Sequence, residues 1–152
     1  MPADKPEFND IERYLVRDGA IAPDASLDAD RGWIEMDVRW LVTRETVGAQ
    51  LGCMGRTFLR PGSKHDIHRH PHAEEWEYVI AGRAIKHVGD MTVEMGPGDV
   101  IFVPRNVYHG LENASATDPV LTVWGYQGAA NLEDAGYFLP SDDGIVTPSR
   151  PA

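Results

Sequence analysis

Apolar residues alternate with polar ones over short runs along this chain, and glycine or proline closes each run. Segments 33–42 (WIEMDVRWLV), 49–59 (AQLGCMGRTFL), 75–82 (EWEYVIAG), 83–88 (RAIKHV), 91–95 (MTVEM), 99–104 (DVIFVP) and 120–126 (VLTVWGY) each read as a strand, and a further strand opens at His109. RPGS, VGD, GPGD and PRN carry the residues that turns between strands require. Only 8–19 (FNDIERYLVRDG) has a helical pattern. Many short strands and almost no helix predict an all-β sandwich or barrel. The ends, 1–7 and about 141–152, are rich in Pro, Asp and Ser and read as tails.

A chain of 152 residues suits one domain with a real core, and 25% charged residues is not a disordered composition. The net charge of −10, with no cluster of Lys or Arg, excludes binding to nucleic-acid phosphates and disfavours an anionic membrane surface. No apolar run is long enough to span a bilayer. MPADKPEFND lacks the basic start and apolar block of a secretory signal, so the expected location is the cytoplasm. The single cysteine, Cys53, sits in an apolar run and reads as a buried, inert thiol.

The densest chemistry is HDIHRHPHAEEWEYVIAG, residues 65–82, with four histidines and three glutamates within 65–77. Side chains two apart share a face of a strand, so His68 and His70 point the same way. PHAE turns the chain, and Glu75, Glu77, Val79 and Ala81 share one face of the returning strand. Normal hairpin pairing puts Glu75 beside His68 and His70, and His109 offers a third imidazole. Three neutral imidazoles and one carboxylate suit Fe, Mn, Ni, Zn or Co. One carboxylate on a divalent ion leaves a net positive centre that attracts an anionic or enolate substrate.

At this point the chain resembles the cupin superfamily. Residues 62–82 follow the first cupin motif: glycine, five residues, His-x-His, three or four residues, Glu, six residues, glycine. Residues 98–113 follow the second: glycine, five residues, Pro-x-Gly, two residues, His, three residues, Asn, with Asn106 in place of the usual glycine. Asn is the next-best residue for a left-handed turn. EWEYVIAG also resembles the corresponding stretch of oxalate-decarboxylase-type cupins. The resemblance implies a double-stranded β-helix, the cupin jelly-roll barrel. Its expected divisions are an N-terminal extension with a short helix (1–48), a barrel core (49–128) and a C-terminal tail (129–152). It further implies a divalent transition metal held by His68, His70, Glu75 and His109, with Fe(II) foremost and Mn, Ni, Zn or Co also suited. Glu75 rather than Glu74 keeps six residues before Gly82, and Glu74 shares a face with Trp76.

Glu77 also faces inward, where an unpaired carboxylate is costly. It is read either as paired to Arg83 or Arg60, or as a general acid/base beside the metal. Tyr108 is a second catalytic candidate. Trp124 and Tyr126 lie near the pocket in sequence, Trp124 as core. His65, His72 and His87 are assigned to exposed positions. Arg56, Arg60 and Lys64 are possible anchors for a substrate carboxylate, with at least two of them solvated. Outward-facing Trp76, Tyr78 and Ile80 need covering by the N-terminal segment or a second subunit, and the resemblance to cupins, which commonly pair through such faces, implies a homodimer. The partner is otherwise a small molecule. Among functions, the leading expectation is an Fe(II) dioxygenase acting on an enolisable ketone, diketone or catechol-like substrate. A non-redox lyase, decarboxylase, isomerase or polyketide cyclase is the alternative, and a non-catalytic binding protein the third reading.

Overall fold

The computed structural model describes residues 10–143; the expected tail at 1–7, and all but the first three residues of the one at about 141–152, lie outside them. Eight strands follow in order: β1 (Trp33–Val42), β2 (Gly52–His68), β3 (Glu74–Ala81), β4 (Ala84–Val88), β5 (Met91–Met95), β6 (Val100–Val103), β7 (His109–Asn113) and β8 (Val120–Gln127). Two single-turn helices accompany them, α1 (Arg44–Val47) and α2 (Leu132–Ala135). Every strand pair is antiparallel, in the order β5-β4-β7-β2-β8-β3-β6, with β1 on β2. The curled sheet is the jelly-roll barrel that the resemblance implied. Among the described residues no helix is long and apolar enough to cross a membrane.

The helix expected over 8–19 is absent over its described part, which forms two 3-10 turns, Ile11–Tyr14 and Asp18–Ala20. Ile11 and Leu15 stay 68% and 46% exposed, so no packed face is available to hold a short helix together. RPGS, expected as a turn, instead lies inside β2. Leu59 pairs with Met36 and Lys64 with Ile34, so β2 carries extra residues opposite β1. This bulge places Gly62 at φ 87° and Glu35 at φ 53°, and Ser63 Oγ donates to Glu35 O at 2.9 Å. Beyond it β2 leaves β8, its partner over residues 52–59, and pairs with β7. One long strand thereby joins both sides of the barrel.

The inward positions build a core of Val38, Leu59, Val79, Val103, Val120 and Trp124, all buried. Cys53 is buried too, and burial pushes its thiol up to about 12, as an inert thiol requires. The alternate face of β3 and β6 points outward, leaving Tyr78, Ile80, Val100 and Phe102 exposed. Asn106 adopts φ 68°, the left-handed turn that its motif position calls for.

The two glycines that bracket the first motif carry different constraints. Both have positive φ, but a Cβ on Gly62 meets nothing, whereas one on Gly82 falls 2.2 Å from Pro119 O. Gly62→Ala should therefore cost about 1 kcal/mol, the price of the left-handed backbone alone. Gly82→Ala should cost at least ~2 kcal/mol more, because the strand must also shift. Urea unfolding of the two variants checks the order.

Candidate metal centre

His68 ends β2 and stands directly opposite His109, the first residue of β7. His70 follows in the turn, and Glu75 lies on β3 between Tyr126 of β8 and Val103 of β6. All four side chains are buried. Each imidazole uses Nδ1 to donate to a backbone carbonyl: His68 to Asp66 O at 2.6 Å, His70 to Gly136 O at 2.7 Å and His109 to Val107 O at 2.9 Å. That fixes the tautomer and leaves every Nε2 with a free lone pair.

Those lone pairs converge. The Nε2 atoms of His68, His70 and His109 and Oε2 of Glu75 are buried without a hydrogen-bond partner. The donor atoms of these residues all lie within 4.8 Å of one another. Ligands about 2.1 Å from a shared ion sit about 3 to 4 Å apart around it, so the spacing fits a single cation. Glu75 Oε2 approaches His109 Nε2 at 2.5 Å, a contact that a shared cation would bridge. Four orphaned buried atoms are otherwise unfavourable, and a divalent ion satisfies them together.

The electrostatics agree. Burial holds His68 well below the usual histidine range and lowers His70 to about 4, so both stay neutral donors. Burial pushes Glu75 upward, but His109 and Lys86 outweigh it and hold the carboxyl below its usual range. The centre thus presents the neutral nitrogens of His68 and His70 beside the anionic oxygen of Glu75, with Nε2 of His109 turned to the same point.

Around the ligands the structure corrects several expectations. His65 is not an exposed loop residue: its ring stacks on His68 at 3.8 Å and lies 4.0 Å from Trp33, and Nε2 is 3.2 Å from Tyr137 Oη. A second bulge explains this. Inward positions of β2 are odd-numbered from Cys53 to His65, and the extra residue between His65 and His68 switches them to even. Residues 129–143 are not a loose tail. Gly136 O holds His70, Tyr137 stacks on His68 at 4.9 Å, and Arg69 pairs with Phe138. Arg31 clamps Asp142 through both terminal guanidinium nitrogens.

Glu77 is inside, on the face it shares with Glu75 as the resemblance implied, but its partners are not Arg83 or Arg60. Lys86 Nζ donates to Oε1 at 2.7 Å and Thr122 Oγ1 to Oε2 at 3.0 Å. Arg83 pairs with Glu94, and Arg60 is exposed. Tyr108, adjacent to His109, points the other way: its hydroxyl donates to Asp143 and accepts from Arg69 Nε, outside the residues that line the cavity. Arg56 binds Asp18 and Lys64 binds Asp66, so neither anchors a ligand at the centre. The cavity beside the four ligands is lined by Trp33, Met36, Leu111, Trp124 and Tyr126, with Glu77 and Lys86 among them. Its volume, about 20 Å³, is on the scale of an ordered water. Trp124 packs in the core, as expected, and also lines this cavity, with Nε1 donating to Thr57 Oγ1 at 2.8 Å.

Lys86, Thr122, Trp33 and Tyr137 were missed by the sequence reading. Lys86 left a trace, since it shares the strand face of Ala84 and Val88. Tyr137 left none, because it reaches the site from a segment without periodicity.

Residues 55–126 match the Cupin domain family. This part of the chain is a small cupin-superfamily domain. This cupin is 38% identical over 77 residues to Protein SchB of Streptomyces halstedii, covering 51% of the chain and 56% of that protein. It is 35% identical over 77 residues to Polyketide synthase CurC of Streptomyces cyaneus, covering 51% and 50%. It is 28% identical over 104 residues to an Oxalate-binding protein of Thermotoga maritima, covering 68% and 86%. The match thus spans about half the length of the two Streptomyces relatives. The solved structure of a predicted oxalate decarboxylase from Thermotoga maritima superposes with TM-score 0.65 at 24% identity, over 74% of this chain and 97% of the other. That likeness carries the fold.

Elemental analysis of the purified cupin should find one transition ion per chain. Glu75→Ala and His109→Ala should each retain less than about a tenth of it, since loss of a ligand costs at least what loss of a ligand's support does. Added Co(II) or Mn(II) should raise the thermal midpoint of the chelator-treated wild type and leave Glu75→Ala unmoved.

Proposed function

We propose that this cupin is a metal-dependent enzyme of the lyase or cyclase kind, acting on a small enolisable carbonyl compound without consuming dioxygen. The observation that carries the reading is the convergence of four partnerless buried donor atoms beside a cavity that holds one further carboxylate, Glu77. A bound divalent ion would supply Lewis-acid polarisation of a carbonyl oxygen. Glu77 is the group proposed to move the proton, held in place by Lys86 and Thr122. Trp33, Leu111, Trp124 and Tyr126 exclude bulk water from the reacting carbon.

The curated relatives support the non-redox choice over the dioxygenase first expected. They bear names of polyketide synthase proteins and of oxalate-binding and oxalate decarboxylase proteins. Loss of a proton next to a carbonyl needs a charge-stabilising cation and a base, and loss of carbon dioxide from a carboxylate leaves an enolate that needs the same cation and a proton donor; neither consumes an oxidant.

Two further expectations join this proposal. A divalent transition metal is the cofactor, with Fe(II) and Mn(II) both suited to the ligand set. A second copy of the chain covers the apolar outer face of β3 and β6, where Val100 and Phe102 are 62% and 53% exposed.

Product formation from a panel of β-dicarbonyl and 2-oxo acid compounds under argon, by Mn(II)- or Zn(II)-loaded protein, is the expected result. Turnover only with Fe(II), accompanied by oxygen uptake, would establish the oxygenase instead. Glu77→Gln should lower kcat by about 10²- to 10⁴-fold with metal content unchanged. Light scattering at micromolar concentration should give a dimer, and Val100→Asp with Phe102→Asp should convert it to a monomer.

A further inference from the structure

Lys86 is the one cation that lines the cavity, and it is 2% exposed. It stands on β4 opposite Leu111 of β7, two residues along from the Val88–His109 pair. Glu77 lies likewise two residues along β3 from Glu75. The two therefore form a charged layer roughly 6–7 Å beneath the ligand layer. Lys86 Nζ donates a single hydrogen bond, to Glu77 Oε1 at 2.7 Å. Its other two N–H bonds have no acceptor among the described residues.

A buried ion pair is a costly way to fill a barrel, because desolvation offsets most of the attraction between the charges. An apolar pair of similar volume would pack there at less cost. Glu77 has a second donor in Thr122, whereas Lys86 has nothing beyond Glu77. The unfilled donor capacity therefore sits on the cation and borders the cavity.

We propose that Lys86 Nζ is the anion-recognising group of this cavity. It holds a carboxylate or enolate oxygen of the substrate, which displaces water from the small space between the ammonium and the His68–His70–Glu75–His109 cluster, and so selects anionic over neutral substrates. Glu77 is then the internal counter-charge that keeps the ammonium in place before substrate arrives. This assignment rests on the metal-centre reading.

The test uses Co(II)-loaded full-length protein, with the visible absorption of cobalt as readout and pyruvate as probe. Three proteins are compared: wild type, Glu77→Gln, and the double variant Glu77→Gln/Lys86→Met. The double variant removes both charges and so strands neither in the interior. Pyruvate should bind the double variant about tenfold or more weaker than wild type, the scale of one charged hydrogen bond, at equal cobalt content. Glu77→Gln, which keeps the ammonium and removes its counter-charge, should bind pyruvate at least as tightly as wild type. Equal pyruvate affinity in wild type and double variant, with cobalt bound in both, would overturn the role of Lys86 and leave the metal centre standing. Weaker binding by Glu77→Gln would also overturn it, making the pair a structural unit. Failure of the wild type to take up cobalt would overturn the metal centre and this inference with it.

Discussion

Three hydrogen bonds from imidazole Nδ1 to backbone carbonyls govern the centre of this protein. Each turns a histidine so that Nε2 faces the same point, where the Nε2 atoms of His68 and His70 have no partner and that of His109 meets only Glu75 Oε2. The carbonyls come from Asp66 and Val107, each two residues from the histidine it holds, and from Gly136, far along the chain. A histidine free to rotate would turn its donor nitrogen toward any available acceptor. Fixed as they are, the rings present lone pairs to an enclosed space, which favours a cation strongly. The barrel, its bulges and the C-terminal strap can all be read as the means of holding these rings still.

The interior beneath the ligands holds buried polar and charged side chains. Lys86, Glu77 and Thr122 form one connected group, and Trp124 with Thr57 forms another. Each buried donor or acceptor in them that is paired avoids the desolvation cost of standing alone. Apolar side chains surround both groups, so the charges act on the cavity with little screening by water. The same barrel therefore supplies a cation site and, one layer down, a fixed pair of opposite charges. The carboxylate of Glu75 is held ionised by His109 and Lys86 against its own burial.

The region outside the two motifs contributes more than its sequence announced. β1 lays Trp33 against His65 and Met36 beside the cavity, and residues 136–142 close over His68 and His70. Arg31 and Asp142 tie these two flanking segments to each other. The Streptomyces relatives match over 77 residues each, so the likeness lies in the central part of this chain. Shared barrel and ligands do not fix a shared reaction, because the walls that select the substrate come partly from the flanks.

By itself the sequence determined the strands, and its resemblance to cupins implied the barrel and the four converging side chains. Alternation, turn residues and motif spacing are local, and strand geometry converts them directly into faces: His68 with His70, Glu75 with Glu77, Tyr78 with Ile80 on the outside. Asn106 at a left-handed turn was legible for the same reason. What only the tertiary structure decided were the partners across the barrel. Glu77 meets Lys86 rather than an arginine because closure brings β4 opposite β3, a relation that no local pattern encodes. His65 faces inward because a bulge shifts the register of β2 by one residue, and one residue reverses a strand's faces. Tyr137 and Gly136 reach the site along an irregular segment held by long-range pairing with Arg69 and His70. Periodicity is a property of one segment, whereas a site is a property of how several segments close on each other.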